Sequence, residues 1–133
     1  MNFISTRNIT PPTSIDTALV AGLAPDGGVY VPEYFPAVDF SAPASSLATA
    51  AARTLAPYFI DSSLRDRLDA ICTDAFSFDA PLRALAGPGD HVLELFHGPT
   101  AAFKDYAARF LARALEGLRD PSAPPTTIVV ATS

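Results

Sequence analysis

The stretch that decides the fold is HVLELFHGPTAAFKDYAARFLARALEGL, residues 91–118. HVLEL at 91–95 predicts a strand, FHGP predicts a loop, and the residues from about 100 to 118 predict an amphipathic helix. A second run, TTIVVA at 126–131, is rich in β-branched residues and predicts a buried strand. Strand, helix and strand in this order form a βαβ unit, so we expect an α/β fold with a parallel sheet.

Upstream of this unit the local patterns indicate helices. Three are predicted: from Ser14 to about Ala21, from about Ser45 to Leu55, and one capped by Asp61 or Ser62. The DGG turn at 26–28 precedes a short strand at 29–31. We therefore expect residues 1–90 to form a largely helical subdomain with that short strand, and residues 91–133 to form the start of a second domain.

Composition narrows the class of protein. The 133 residues are 49% hydrophobic and 17% charged, which predicts one packed core. A net charge of −5 argues against nucleic-acid binding, and no apolar run is long enough for a membrane span, so we expect neither partner. The single cysteine, Cys72, and the isolated His91 and His97 indicate no metal site and suit a cytoplasmic location.

Lys104 is the only lysine among nine cationic residues. The helix from about 100 has an apolar stripe that consists of Phe103, Ala107, Phe110, Leu111, Ala114, Leu115 and Leu118. On a helical wheel Lys104 lies with this stripe, whereas Asp105, Arg109, Arg113 and Glu116 lie opposite. We expect Arg109 and Arg113 to form a solvated helix face rather than to bind phosphate.

This position of Lys104 points to chemistry. Burial and the positive helix end both favour the neutral amine, which attacks carbonyls and can hold an aldehyde cofactor such as pyridoxal phosphate. The alternative from the pattern alone is a lysine at the rim of the stripe that extends its ammonium group to water.

Three stretches resemble one family. LELFHGPTAAFKDYAARF at 93–110 is similar to the lysine segment of the threonine synthase family, with its ELFHGPT-x-AFKD signature. GLAPDGGVYVP at 22–32 resembles that family's N-terminal GLA-x-DGG-x-x-x-P segment. IVVATS at 128–133 resembles the strand that leads into its TSGDTG loop. Residues 33–90 carry no comparable motif.

The resemblance implies a partial fold type II pyridoxal-phosphate enzyme. Members of the family are carbon–oxygen lyases that convert O-phospho-L-homoserine and water to L-threonine and phosphate. By motif Lys104 is the Schiff-base lysine, which also moves protons during the reaction. Arginine stays protonated and cannot do this, which explains a lysine in a chain that otherwise uses arginine.

The resemblance implies weaker roles for other residues. Phe103 and Asp105 flank the lysine and would fix its direction, with Phe103 beside the cofactor, although packing or helix-start charge compensation would also explain them. His97 would contact the substrate or cap its loop. Thr132 and Ser133 match the start of the substrate-binding loop, with a frayed terminus as the alternative.

The rest of the family pattern does not follow Ser133. Gly-Asp-Thr-Gly and the glycine-rich loop for the cofactor phosphate are missing, so we expect a truncated piece that is inactive alone and needs the remainder of the same polypeptide. Two alternatives stay open. The chain could be a non-catalytic interaction module or gene remnant, or part of a related pyridoxal-phosphate-dependent phospho-lyase.

Overall fold

Short helices make up most of the ordered elements in the computed structural model, which describes residues 1–125 and 127–129. The α-helices of this part are α1 (Ile15–Ala21), α2 (Leu47–Leu55), α3 (Leu68–Ala75) and α4 (Lys104–Leu118). Two 3₁₀-helices, Ala56–Phe59 and Arg65–Arg67, connect α2 to α3. The strands are β1 (Phe3–Ser5), β2 (Tyr30–Pro32), β3 (Leu82–Ala84) and β4 (His91–Leu93).

One core joins the helices. α3 packs against both α2 and α4, and α4 also contacts α1. Phe59, Leu64 and Cys72 are almost completely buried among them. The Phe59 and Phe110 rings meet edge to face, with centroids 6.0 Å apart, so α4 is anchored to the turn that follows α2. Among the residues that the structure describes, no helix has the length and apolarity needed to cross a bilayer.

Local capping chemistry sets the first two helices as the sequence predicts. The Ser14 side chain accepts a hydrogen bond from the Thr17 amide, and α1 ends at Gly22 with φ +70°. Ser46 accepts in the same way from the Thr49 amide and begins α2. Both predicted helices are confirmed, with the start of α2 two residues later than expected.

The predicted start of the third helix is wrong. Ser62 accepts a hydrogen bond from the Leu64 amide, at 3.0 Å, and donates to the Asp16 carboxylate of α1. This long-range contact fixes a turn, and α3 begins only at Leu68. Asp61 instead pairs with the amino terminus.

The strand at 91–95 is confirmed as the shorter β4, but its partner differs from the prediction. β4 pairs antiparallel with β3, with Arg83 opposite Val92. A turn through residues 85–90 closes this hairpin, and Gly89 supplies its left-handed residue with φ +82°. The sequence analysis missed β3 because three residues carry little pattern.

The predicted parallel partner at 126–131 lies partly outside the described residues. Residues 127–129 are described and do not form a strand, so the parallel sheet is not confirmed. The hairpin crosses position 90. The division into 1–90 and 91–133 stays a prediction.

The predicted strand at 29–31 is found one residue later, as β2, and the DGG turn precedes it. β2 pairs antiparallel with β1, with Ile4 opposite Val31. Asp26 of the turn accepts hydrogen bonds from the Ser5 hydroxyl at 2.6 Å and from the Gly28 and Thr10 amides, each at 2.9 Å. A Cβ on Gly28 would lie 3.1 Å from the Arg7 amide nitrogen, so this crowded corner favours glycine.

This corner makes stability sensitive to acid. The hydrogen bond from Ser5, with those from Gly28 and Thr10, lowers the pKa of Asp26 well below its usual range. Its contribution to stability is therefore full above an unfolded-state pKa of about 3.9 and declines as the pH falls below that value. We expect Asp26→Asn to lower the urea midpoint at pH 7 and to have a smaller effect at pH 3. Asp66→Asn, at an exposed site, is the control, and equal effects of Asp26→Asn at both pH values would contradict the prediction.

Candidate functional site

Lys104 is the first residue of α4, and its side chain is exposed. The expectation that it is buried within the apolar stripe is therefore wrong for the described residues. The stripe is wide enough to contain two rows of side chains. α4 packs on the core through the row that contains Phe110 and Ala114, whereas Phe103 and Leu111 remain 66% and 41% exposed on the row next to Lys104.

The side of α4 opposite the stripe is also less solvated than predicted. Arg109 is half-buried and donates to the Ala75 carbonyl at 2.8 Å and the Asp74 carbonyl at 2.9 Å. These carbonyls end α3, where a cation is favourable. The Arg109 guanidinium also lies 5.6 Å from the centre of the Phe78 ring. Arg109 therefore joins two helices, whereas Arg113 is exposed as predicted and pairs with Asp74 and Glu116.

The loop before α4 makes a tight turn. The Ala101 amide donates to the Gly98 carbonyl at 3.0 Å. Ala101 has φ +55°, a left-handed conformation that is uncommon for a residue with a Cβ. Asp105, in the first turn of α4, is only 8% exposed and accepts from the Thr100 amide and hydroxyl, each at 2.8 Å. The loop is thus fixed to the helix one residue away from Lys104.

His97 lies on the same loop and is exposed. Its Nε2–H donates to Glu94 Oε2 at 2.7 Å, and its ring stacks on Phe96 with the ring centres 4.7 Å apart. Arg83 Nε of β3 lies 3.6 Å from the other oxygen of the Glu94 carboxylate. The hydrogen bond from His97, with the charge of Arg83, lowers the pKa of Glu94. Glu94 therefore stays ionised at neutral pH and holds the imidazole in place.

The structure thus places Lys104, Phe103 and Asp105 together and puts His97 on the loop that leads to them. Thr132 and Ser133 lie outside the described residues. The sequence analysis missed Glu94, Arg83 and Thr100. The spacing of Glu94 and His97 could have suggested their contact, but Arg83 and Thr100 are placed by the hairpin and the loop turn, which leave no local signal.

Other possible sites lie elsewhere. A surface concavity of about 600 Å³ is lined by Pro57, Phe59 and Leu68, and one of about 420 Å³ by Asp16, Val20 and Leu118. Within residues 1–125 and 127–129 no group of three or more histidine, cysteine or acidic side chains is arranged to hold a metal ion. Burial raises the pKa of the Cys72 thiol to about 11, so this cysteine is unreactive at neutral pH.

Comparison with known proteins gives consistent matches. The family model described as threonine synthase N terminus matches residues 2–76, more than half of the chain. The threonine synthase of Pseudomonas aeruginosa is 41% identical over 125 residues, which cover 87% of this chain and 26% of that protein. The threonine synthase of Haemophilus influenzae is 34% identical, over 100% of this chain and 31% of its own length.

Solved structures agree with these sequence matches. The crystal structure of a pyridoxal-phosphate-bound threonine synthase from Brucella melitensis superimposes with a TM-score of 0.77 and 34% identity. The match covers 89% of this chain and 27% of the Brucella chain. The chain thus spans between a quarter and a third of the length of these relatives. Because the family model covers more than half of its residues, the chain belongs to the threonine synthase family.

Proposed function

We propose that this chain supplies the N-terminal part and the cofactor-bearing lysine of a cytoplasmic threonine synthase, which converts O-phospho-L-homoserine and water to L-threonine and phosphate. The observation that carries the proposal is the position of Lys104. It is the only lysine, it follows the ELFHGPT-x-AF sequence, and it begins α4 with an exposed side chain. The relatives named threonine synthase, one of them with pyridoxal phosphate bound, support the same role.

The residues around Lys104 fit this cofactor. An aldehyde is held covalently by an accessible primary amine, and Lys104 offers one. Phe103 beside it presents an exposed aromatic side chain that can pack on the pyridine ring. We infer that both Lys104 and Phe103 bind the cofactor. We also infer that the cofactor phosphate is held by the part of a threonine synthase that this chain does not cover.

Lys104 has two tasks in this proposal. Pyridoxal phosphate, when bound, supplies an electron sink that stabilises negative charge next to the substrate nitrogen. Lys104 Nζ would hold the cofactor through its aldehyde carbon. The same amine would take the proton from the substrate Cα and return a proton later, which needs an amine that can lose its charge.

His97 is the proposed substrate contact. Its ring is held by Glu94 through Nε2, so Nδ1 is the nitrogen that would face a ligand at the loop surface. We expect His97→Ala to raise the KM for O-phospho-L-homoserine by about tenfold or more, because the loss of a hydrogen bond to a charged group costs about that factor. His91→Ala, at the other exposed histidine, is the control. An unchanged KM for His97→Ala would assign the ring to loop structure. Thr132 and Ser133 stay predicted substrate ligands.

The experiment is a hybrid enzyme in which residues 1–133 replace the matching N-terminal segment of the P. aeruginosa threonine synthase. We expect the hybrid to release phosphate from O-phospho-L-homoserine and to form an equal amount of threonine. The 133 residues alone should release none, because the chain spans only 26% of that relative. Phosphate release without threonine would contradict the proposed reaction. A hybrid that folds but forms neither product would favour a non-catalytic module.

A further inference from the structure

Asp105 is a buried carboxylate that the proposed reaction does not use. It belongs to the first turn of α4, and its residue is 8% exposed. Its Oδ2 accepts a hydrogen bond from the Thr100 amide and its Oδ1 accepts one from the Thr100 hydroxyl, each at 2.8 Å. Hydrogen bonds to an ionised acceptor are about twice as strong as neutral ones. One side chain thus connects the helix to the residue five positions before it.

Two features show that the loop is shaped to receive this carboxylate. A Cβ on Gly98 would lie 2.6 Å from the Cβ of Asp105, so only glycine allows the loop to come this close. Ala101 follows Thr100 directly and has φ +55°. Such a conformation persists only where surrounding contacts enforce it. The two hydrogen bonds from Thr100 to Asp105 are contacts of this kind, since Thr100 directly precedes Ala101.

We propose that Asp105 is a positioning residue for Lys104, because its carboxylate holds the bend at Gly98–Ala101 against the first turn of α4 and so fixes the direction of the lysine. Lys104 lies between the bend and the carboxylate. Phe103, at the helix cap position, makes no side-chain capping hydrogen bond, so the cap residue itself does not fix this first turn. The role as positioning residue rests on the proposed function of Lys104, whereas the contact with Thr100 does not.

The substitution Asp105→Asn distinguishes this positioning role from an effect of the negative charge of Asp105 on the Lys104 amine. The introduced amide could accept from the Thr100 amide through its oxygen and donate to the Thr100 hydroxyl through its NH₂ group, so both contacts would survive without the negative charge. Alanine would lose both. If Asp105 acts by holding the loop, Asp105→Asn keeps most of the positioning of Lys104. If Asp105 acts by charge on the Lys104 amine, Asp105→Asn is as damaging as Asp105→Ala.

The first test uses the 133-residue chain and needs no cofactor. Hydrogen exchange of the Thr100 amide reports its bond to Asp105, and ¹⁵N-labelled lysine gives a single backbone signal, that of Lys104. We expect Asp105→Ala to accelerate exchange at Thr100 by about tenfold or more and to increase the fast motion at Lys104. Asp105→Asn should have a much smaller effect. Asp69→Asn, an exposed aspartate at the same position in α3, is the control and should change neither.

The second test measures the circular dichroism of pyridoxal phosphate in the hybrid enzyme, per mole of bound cofactor. We expect Asp105→Ala to lower it and Asp105→Asn to preserve it, because the signal depends on a fixed cofactor orientation. A loss of stability alone would lower the unfolding midpoint and leave the circular dichroism per mole of bound cofactor unchanged. If the unsubstituted hybrid binds no cofactor, the proposed function fails. The proposal for Asp105 is overturned if the hybrid binds cofactor and Asp105→Ala keeps the full circular dichroism per mole of bound cofactor. It is also overturned if Asp105→Asn is as damaging as Asp105→Ala.

Discussion

We expect Lys104→Ala to abolish phosphate release by the hybrid enzyme. The substitution removes the amine that holds the cofactor and also the group that takes the proton from the substrate. Positioned general acid–base catalysis alone contributes about 10²–10⁴-fold, so the loss should exceed that range once attachment is lost as well. Lys104→Arg should be equally inactive, because arginine keeps its charge at every accessible pH.

The control for this result is Arg113→Lys, which changes an exposed cation on the same helix. It should keep the activity of the unsubstituted hybrid. Unfolding midpoints should be similar for all variants, since the Lys104 side chain is exposed and makes little contribution to the core. Appreciable turnover by Lys104→Ala, with phosphate and threonine formed together, would remove the basis of the proposed function.

The second large effect concerns the core that carries α4. We expect Phe59→Ala to lower the free energy of unfolding by about 3–5 kcal/mol, because the lost ring leaves a cavity that packed neighbours fill only in part. Phe59 is 2% exposed and meets the Phe110 ring of α4 edge to face. A domain of this size has a total stability of about 5–15 kcal/mol, so the substitution should remove a large share of the stability.

Urea unfolding followed by circular dichroism measures this effect. Phe35→Ala is the matched control, since Phe35 is 83% exposed and its truncation should change the stability by no more than about 0.5 kcal/mol. Similar losses for the two variants would mean that burial of the Phe59 ring against Phe110 does not stabilise the core. The position of α4, and with it that of Lys104, would then need another explanation.

Helix starts were predictable where the cap lies within the helix's own sequence. Ser14 and Ser46 accept from amides three residues ahead, so the signal is local. The start of α3 was not predictable, because Ser62 is engaged by Asp16, which is 46 residues away in sequence. The pairing of β4 depends in the same way on the turn that brings β3 beside it.

The candidate site shows the same division. The position of Lys104 at a helix start followed from the strand–loop–helix pattern. Its exposure did not follow, because two apolar rows of α4 can each face a core, and the sequence does not say which of them packs on the core. The helical wheel placed Asp105 opposite the apolar stripe. Its burial depends on the turn at Ala101, whose left-handed conformation no alanine would predict.

Covalent trapping of pyridoxal phosphate would show directly whether Lys104 bears the cofactor. The hybrid enzyme is mixed with one equivalent of pyridoxal phosphate and reduced with borohydride, and the modified residue is located by peptide mass spectrometry. We expect one reduced pyridoxyl group on the peptide that contains Lys104, with none on that peptide in Lys104→Ala. Label on a lysine of the P. aeruginosa portion, with Lys104 unmodified, would contradict it.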